Sequence, residues 1–412
     1  MKTVKMMHYL SLPMLILGLL SILLLGPGYR AADIPGDPTA EFSVRLYHHM
    51  QGGDENIIFS PLSVALALGM VELGARGASL TEIRQALGFS HLPKGAEFPL
   101  LHKLIGVLSE DGHHYVILLA NSLFLQSGMT IKPDFLQLIR KYFQAKVEMV
   151  DFCKSSAVAA QLNGWVENHT KGKIHDLFEA SSFSCQTLLT LVNAVYFRGS
   201  WKNRFRLKET RPTTFIKDNG SKVQTPMMYQ MGDFNYGEFD SLSEAGVYQV
   251  LEMPYEGEDM SMLIVLPRQE VSLAALEPII QAPLLEEWAS NIQRQEVEVY
   301  LPRFKVDQKV DLTQTLKDLG IKKIFTDYAD LSAMTTDGNK SLIRKAVHKA
   351  YLDVTEEGAE GAAATGLVFR RFHPVTRPTF KADHPFFFVI RNRRIGSILF
   401  MGRVMTPEVV RP

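Results

Sequence analysis

Phe42, Leu46, Tyr47 and Met50 repeat at the spacing of one helical face, and Asp37-Pro38 ahead of them offers a capping carboxylate and a first-turn proline. Asn56-Ile57-Ile58-Phe59 then reads as a short strand. Ser60-Pro61 opens a helix through Leu62, Val64, Leu66, Leu68, Met70 and Leu73. That helix is apolar nearly all round, which predicts a place deep in the interior. Ser79-Leu80-Thr81-Glu82 has the form of a capping box, and Gly88 ends the helix it would start. Residues 96–109, 132–143 and 156–170 carry further helical patterns.

Two runs, 115–125 and 188–197, are apolar at odd and even positions alike, as in central strands covered on both faces. From 212 onward strand patterns dominate, over 262–266, 297–301, 386–390 and 397–404. No Pro/Gly/Ser linker divides the chain and no period repeats. Helices crowd the first half and strands the second. The reading is one large α+β unit.

Residues 358–366 stand apart. They are Gly, Ala and Thr with one Glu, too little apolar area to fold alone. Read with period two, Ala359, Gly361, Ala363 and Thr365 share a small, uncharged face, and Glu360 lies on the other. The composition alone suits a surface linker. It equally suits a strand that must slide between two existing strands.

The N-terminus changes the picture only at its edge. Lys2 and Lys5 precede an apolar run from Tyr9 to Leu25, and Gly26-Pro27-Gly28 gives small residues at cleavage spacing. The pattern is that of a secretory signal peptide over 1–28, with a signal anchor as the rival. Three sequons, at Asn168, Asn219 and Asn339, agree with secretion and glycosylation. In the 412 residues, 44 Lys+Arg balance 44 Asp+Glu, which removes the general case for nucleic acid or an anionic membrane as partner. Cys153 and Cys185 exclude a disulfide scaffold and a cysteine zinc cluster. They allow one bridge or two free thiols, and spacing does not decide between them.

Catalytic signatures are missing. There is no Gly-x-Ser-x-Gly elbow, His-Glu-x-x-His, phosphate-cradling loop or Cys-x-x-Cys. His48-His49 and His113-His114 lack acidic partners at ligand spacing and read as solvated surface. Arg391, Arg393 and Arg394 fall in a turn between apolar strands, where charge is expected. Four polar residues are harder to place: Ser60 and Ser63 at the start of the apolar helix, Asn193 within Leu191-Val192-Asn193-Ala194-Val195, and His348 within Ala346-Val347-His348-Lys349-Ala350. A buried polar group without a partner costs ~1–3 kcal/mol, so these are either four separately satisfied groups or one network joining helix to sheet.

With these residues in hand, the chain resembles a serpin over essentially all of residues 29–412. Asn56-Ile57-Ile58-Phe59-Ser60-Pro61-Leu62-Ser63 is similar to the start of the family's second helix. Leu191-Val192-Asn193-Ala194-Val195-Tyr196-Phe197-Arg198-Gly199-Ser200-Trp201 is similar to the third strand of its main sheet. Val347-His348-Lys349-Ala350 with Glu356-Glu357-Gly358 resembles the fifth strand and hinge. Asp383-His384-Pro385-Phe386-Phe387-Phe388 and Ile398-Leu399-Phe400-Met401-Gly402-Arg403-Val404 resemble the C-terminal hairpin.

The resemblance implies an α+β serpin fold with three β-sheets, about nine helices and an exposed reactive-centre loop over about 356–382. It implies that Ser60, Ser63, Asn193 and His348 form a shutter under the main sheet, and that Trp201 marks the breach where the loop enters. These roles are structural, and no catalytic residue, cofactor or metal is implied. The partner would be a serine protease held as a covalent acyl-enzyme. The protein would be a secreted monomer, with loop-sheet polymers open to it. The hinge would be Glu356, Gly358, Ala359, Gly361, Ala363 and Thr365. Ala359 stands where the family commonly has Thr or Ser, and Gly361 where it commonly has Ala, a weakening of about 0.5–1 kcal/mol in strand propensity. Family spacing from Gly358 puts the cleaved bond at Phe372-His373, which suits a chymotrypsin-like protease. The subgroup that the chain most resembles carries Arg at the place of Phe372, so the chain departs from it there; a slip of one gives Arg371-Phe372, and Arg370-Arg371 would suit a trypsin-like or dibasic-cleaving protease. Pro374 and Pro378 should keep the far side extended and unpaired. Non-inhibitory serpins (carriers, chaperones, storage proteins) tend to carry bulky, charged or proline residues in the hinge. The inward face of this hinge, Ala359, Gly361, Ala363 and Thr365, carries none, which favours inhibition.

Overall fold

A computed structural model describes residues 37–50, 52–109, 115–336, 343–357 and 377–408. The signal segment, the sequon at Asn339, the His113-His114 pair, the hinge from Gly358 through Ala359, Gly361, Ala363 and Thr365, and the bonds at Arg371, Phe372 and His373 lie outside the described residues. In chain order the first half comprises α1 (Ala40–Met50), β1 (Ile57–Phe59), α2 (Pro61–Gly74), α3 (Gly77–Ala86), α4 (Glu97–Ser109), β2 (Tyr115–Gln126), α5 (Pro133–Phe143), β3 (Val147–Val150), α6 (Ser155–His169) and β4 (Leu189–Gly199). There follow β5 (Arg211–Ile216), β6 (Lys222–Asp240), β7 (Val247–Pro254), β8 (Met260–Pro267), α7 (Leu273–Leu276), α8 (Ala282–Asn291), β9 (Gln293–Pro302) and β10 (Phe304–Asp311). The last elements are α9 (Thr313–Asp318), β11 (Ile343–Val354), β12 (Thr379–Lys381), β13 (Phe386–Asn392) and β14 (Ile398–Val404). Helix and strand thus follow the sequence pattern closely, and the class is α+β, with nine α-helices among the described residues.

Hydrogen bonds join the strands into a five-stranded sheet in the order β10-β11-β4-β2-β3 and a nine-stranded one in the order β1-β14-β13-β8-β7-β6-β9-β12, with β5 on β6. The larger is two sheets made continuous by one long strand. Residues 227–236 of β6 pair with β9, and residues 235–240 pair with β7. The three expected sheets are therefore present as one separate sheet and two that share β6.

Helix α2 is the hub. Ser60 lies extended and its hydroxyl accepts the Ser63 amide, while Pro61 occupies the turn that needs no amide donor. Every residue of α2 is buried. One side of the five-stranded sheet faces it. Leu189, Leu191, Val195 and Phe197 of β4 join the main core there, and the alternate residues Val192, Ala194 and Tyr196 face a second cluster under α6. This two-sided burial is why β4 shows no polar alternation. β14 crosses β1 so closely that any side chain at Gly402 would run into the Ile57 carbonyl.

Three local expectations need correction. The capping box at Ser79 is absent: α3 starts at Gly77, the Ser79 hydroxyl accepts the Asp330 amide, and the Glu82 carboxylate takes the amides of Lys322 and Lys323. Tertiary partners outbid the local ones. Second, Asp37 and Pro38 precede α1 as a turn, with the Asp37 carboxylate accepting from Thr39 and from the distant Ile398 amide. Third, the stretch at Pro378 is extended but not unpaired. The Pro378 carbonyl accepts the Glu298 amide, and β12 lies parallel to β9. Pro lacks an amide, yet its carbonyl is free to bond. Cys153 and Cys185 form a disulfide.

Candidate functional site

The seam where β11 meets β4 in parallel register, from Ile343 opposite Leu189 to Leu352 opposite Phe197, collects the polar residues singled out above. At its middle, His348 and Asn193 are direct partners in register. The Ser60 amide donates to His348 Nε2 at 3.0 Å, so the ring proton sits on Nδ1 and is donated to Asn193 Oδ1. The Asn193 amide nitrogen donates to the Ser63 carbonyl at 2.8 Å, to Ser63 Oγ at 2.6 Å and to Asn121 Oδ1. Ser63 Oγ in turn donates to Asn121 at 3.2 Å. Ser60, Ser63, Asn193 and His348 are thus one network, which ties α2 to β2, β4 and β11. Complete burial pushes the His348 imidazole down to about 3, so it is neutral across the physiological range.

The upper end of the seam is held differently. Past β11, the Thr355 carbonyl accepts Trp201 Nε1 at 3.0 Å, and the Trp201 ring stacks on Tyr255 with centroids 4.5 Å apart. The Phe205 amide donates to the Glu356 carbonyl at 3.0 Å. The Glu356 side chain, 5% exposed, accepts both Arg303 Nε at 3.0 Å and Arg303 Nη2, and also Thr210 Oγ1 at 2.6 Å. Burial works to raise this carboxyl, but the bonds from Arg303 and Thr210 outweigh it and hold it below the usual range. The chain is therefore clamped at Glu356, two residues before Gly358.

Over the seam, on the side away from α2, Tyr196 and Tyr351 meet across the two strands with centroids 5.4 Å apart. A cleft of about 590 Å³ opens above them, bordered by Lys173, Asp176, Arg198, Asp307, Lys349 and Glu357. Lys349 reaches across it to the His175 carbonyl at 3.0 Å.

Sequence reasoning missed three members of these networks. Asn121 interrupts the apolar run 115–125 much as Asn193 interrupts the other, so its signal was present. Arg303 and Thr210 carry no such mark: Thr210 sits among polar neighbours, and Arg303 follows Pro302 between two strand patterns, where charge is unremarkable. Arg391 and Arg393 do more than decorate a turn. Both reach the buried Glu252, at 3.3 and 3.2 Å, while Arg394 pairs with Asp259 at 2.6 Å. Asn168 and Asn219 are exposed.

Comparison with known proteins gives a consistent result. Residues 37–407 match a family model described as Serpin (serine protease inhibitor). Neuroserpin of Gallus gallus is 51% identical over 401 residues, covering 96% of this chain and 98% of the relative, and neuroserpin of Homo sapiens is 49% identical with the same coverage. Among solved structures, uncleaved ovalbumin superposes with a TM-score of 0.81 at 30% identity, over 90% of this chain and 99% of that one. Native protease nexin-1, crystallised with heparin, gives 0.80 at 28%, over 92% and 100%.

Proposed function

The chain belongs to the serpin family, and on that footing we propose that it is a secreted serine protease inhibitor that traps its target as a suicide substrate. The observation that carries the reading is the parallel pairing of β4 with β11 next to the clamped Glu356. A chain leaving the end of β11 and turning back between the two strands would run antiparallel to both. One parallel ladder would then give way to two antiparallel ones, the slightly stronger kind.

The chemistry begins on the protease. Its serine oxygen attacks the Phe372 carbonyl, the C–N bond to His373 breaks, and His373 becomes a new N-terminus while Phe372 stays as an ester. The hinge, from Gly358 through Ala359, Gly361, Ala363 and Thr365, then enters the seam with the ester and the protease behind it. Roughly a dozen new backbone hydrogen bonds at ~0.5–1.5 kcal/mol each give on the order of 10 kcal/mol. A protease domain is held together by only ~5–15 kcal/mol, so insertion can distort it before water hydrolyses the ester. In this reading the His348–Asn193 network is the shutter that must part and close again, and Trp201, Arg303 and Glu356 are the breach that opens first. Residues 1–28 are the cleaved signal peptide, and Asn168 and Asn219 are exposed glycan acceptors.

Incubation of the purified protein with chymotrypsin and with trypsin tests the proposal. The expected result is a denaturation-resistant complex with chymotrypsin and release of a peptide beginning at His373. A peptide beginning at Phe372 moves the bond to Arg371 and the target to the trypsin-like class. Complete cleavage without complex rejects inhibition and leaves a non-inhibitory serpin.

A further inference from the structure

The segment from Cys153 to Thr187 covers the outer face of the five-stranded sheet. Its outward half is α6, which lays Val158, Ala159, Leu162 and Val166 on the sheet. Its return half packs Ile174, Leu177, Phe178 and Phe183 into the same cluster. That cluster includes Ala120 and Phe124 of β2, Val192, Ala194 and Tyr196 of β4, and Val347 of β11. It therefore spans the seam. The two halves are sewn together where Asn163 takes the Phe178 amide and gives to the Phe178 carbonyl, both at 2.8 Å. Lys171 and Asp176 hold positive φ angles of 49° and 53° within the return, and Lys349 of β11 fastens it at His175.

Both ends of the segment leave the sheet at one corner. The Phe152 amide donates to the Gln126 side chain at 2.9 Å, and the Gln126 amide donates to the Leu188 carbonyl at 2.9 Å. The Cys153–Cys185 disulfide joins the two ends there, with Cα atoms 4.2 Å apart. Both cysteines are exposed. The cover is thus a closed ring of about thirty residues rather than a strap anchored at two separate points.

We propose that the Cys153–Cys185 disulfide is a brake on strand insertion: it limits how far the cover over the seam can loosen, and opening it speeds insertion. The proposal rests on the insertion reading above. A strand entering between β4 and β11 moves Val347 and Tyr351 about 4.8 Å further from Val192 and Tyr196, so the cluster beneath the cover must come apart. The loosened state is the one with freedom to lose. A cross-link between the ends removes that freedom from the loosened state and leaves the packed state as it was. The barrier is therefore higher with the disulfide closed. A dithiol reductant opens it by taking one S–S bond to two thiols, and is itself oxidised to its disulfide.

Three forms of the full chain test this: the oxidised protein, the Cys153→Ser/Cys185→Ser variant, and oxidised protein reduced with dithiothreitol, alkylated and freed of reductant before protease is added. Each is mixed with chymotrypsin and with trypsin, and the rate and yield of denaturation-resistant complex are measured. Hydrogen exchange of residues 174–183 is followed alongside. Both opened forms should complex at least threefold faster, with fewer inhibitor molecules cleaved per protease trapped, and should exchange at least tenfold faster over 174–183. Equal rates and yields in all three forms overturn the brake and leave the insertion reading standing. Complex in no form overturns the insertion reading and takes the brake with it. Should the double variant misfold by circular dichroism, the alkylated protein alone decides.

Discussion

Near its middle, the β4–β11 seam is joined by neutral groups: a histidine in one fixed tautomer, two asparagines and two serines, with His348 completely buried. Just past its upper end the chain leaving β11 is tied by ions to the turn between β9 and β10, Glu356 to Arg303, near enough to the surface that 6% and 11% of their side chains remain exposed. The neutral site can be taken apart and remade without leaving a bare charge in the interior. The ionic one holds while closed, and once Glu356 swings away both partners can reach water. An inserting strand needs the first property in the middle of a sheet and the second at its mouth.

The largest effect should come from the middle. Asn193→Ala removes at once the acceptor of the His348 proton and the donor to Ser63 and Asn121. Each stranded group costs ~1–3 kcal/mol, and two or three of them together about 3–4 kcal/mol after local relaxation. The midpoint of thermal or urea unfolding should fall accordingly. A loss under about 1 kcal/mol would show that water replaces the missing partners, and that the middle is no tighter than the mouth.

Next comes the mouth. Arg303→Met leaves the Glu356 carboxylate without its cation, with only the Thr210 hydroxyl and its own backbone amide as donors. Breaking a fully buried pair costs ~3–5 kcal/mol, and solvent near this one lowers the expectation to about 2–3 kcal/mol. Adding Glu356→Leu to Arg303→Met should recover part of the loss, since no charge is then stranded. Unfolding midpoints of the single and double variants check both statements. No recovery in the double variant would mean that packing of the arginine stem, not charge, closes the mouth.

The two sites also differed in how openly the sequence announced them. Asn193 and His348 stand out because each breaks an apolar run whose neighbours must be buried. Asn121 breaks a third run in the same way, and was readable for the same reason. Arg303 follows Pro302 between two strands and looks like any turn residue. Its partner lies 53 residues on, and nothing local links the two. The misread capping box at Ser79 teaches the same lesson from the other side. Local chemistry was right for a cap, and partners more than 200 residues away took the groups instead. Elements and buried faces are written in short-range periodicity, but pairings between edges of the fold are not.

Acid should separate the two sites at a smaller energy. The His348 imidazole is held near 3 in the fold against an ordinary value of 6.5, so its contribution is complete above pH 6.5 and is lost as pH falls toward 3. Glu356 is held below its ordinary 4.5, so its contribution is intact above that value and is lost only at lower pH. Between pH 6.5 and 4.5 the middle weakens while the mouth holds. One such proton is worth about 1.4 kcal/mol per pH unit. His348→Gln keeps an acceptor for Ser60 and a donor for Asn193, so its stability should fall less steeply than that of the wild type between pH 6.5 and 5. Parallel slopes in unfolding midpoints across that range would remove His348 as the acid-sensitive group.

The smallest predicted effect is the most discriminating. Thr210→Val keeps the shape of the side chain and deletes one donor to Glu356. Both carboxylate oxygens still face the Arg303 guanidinium, so no group is stranded, and the loss should be that of one net hydrogen bond, ~0.5–1.5 kcal/mol. The Glu356 carboxyl should rise toward its ordinary value, and the acid limb of unfolding should move to slightly higher pH. A cost as large as that of Arg303→Met would contradict the contrast between the sites. The mouth would then be a network in which every member is indispensable, as Asn193 is in the middle, rather than one ion pair with a helper. A strand could not open it by displacing Glu356 alone.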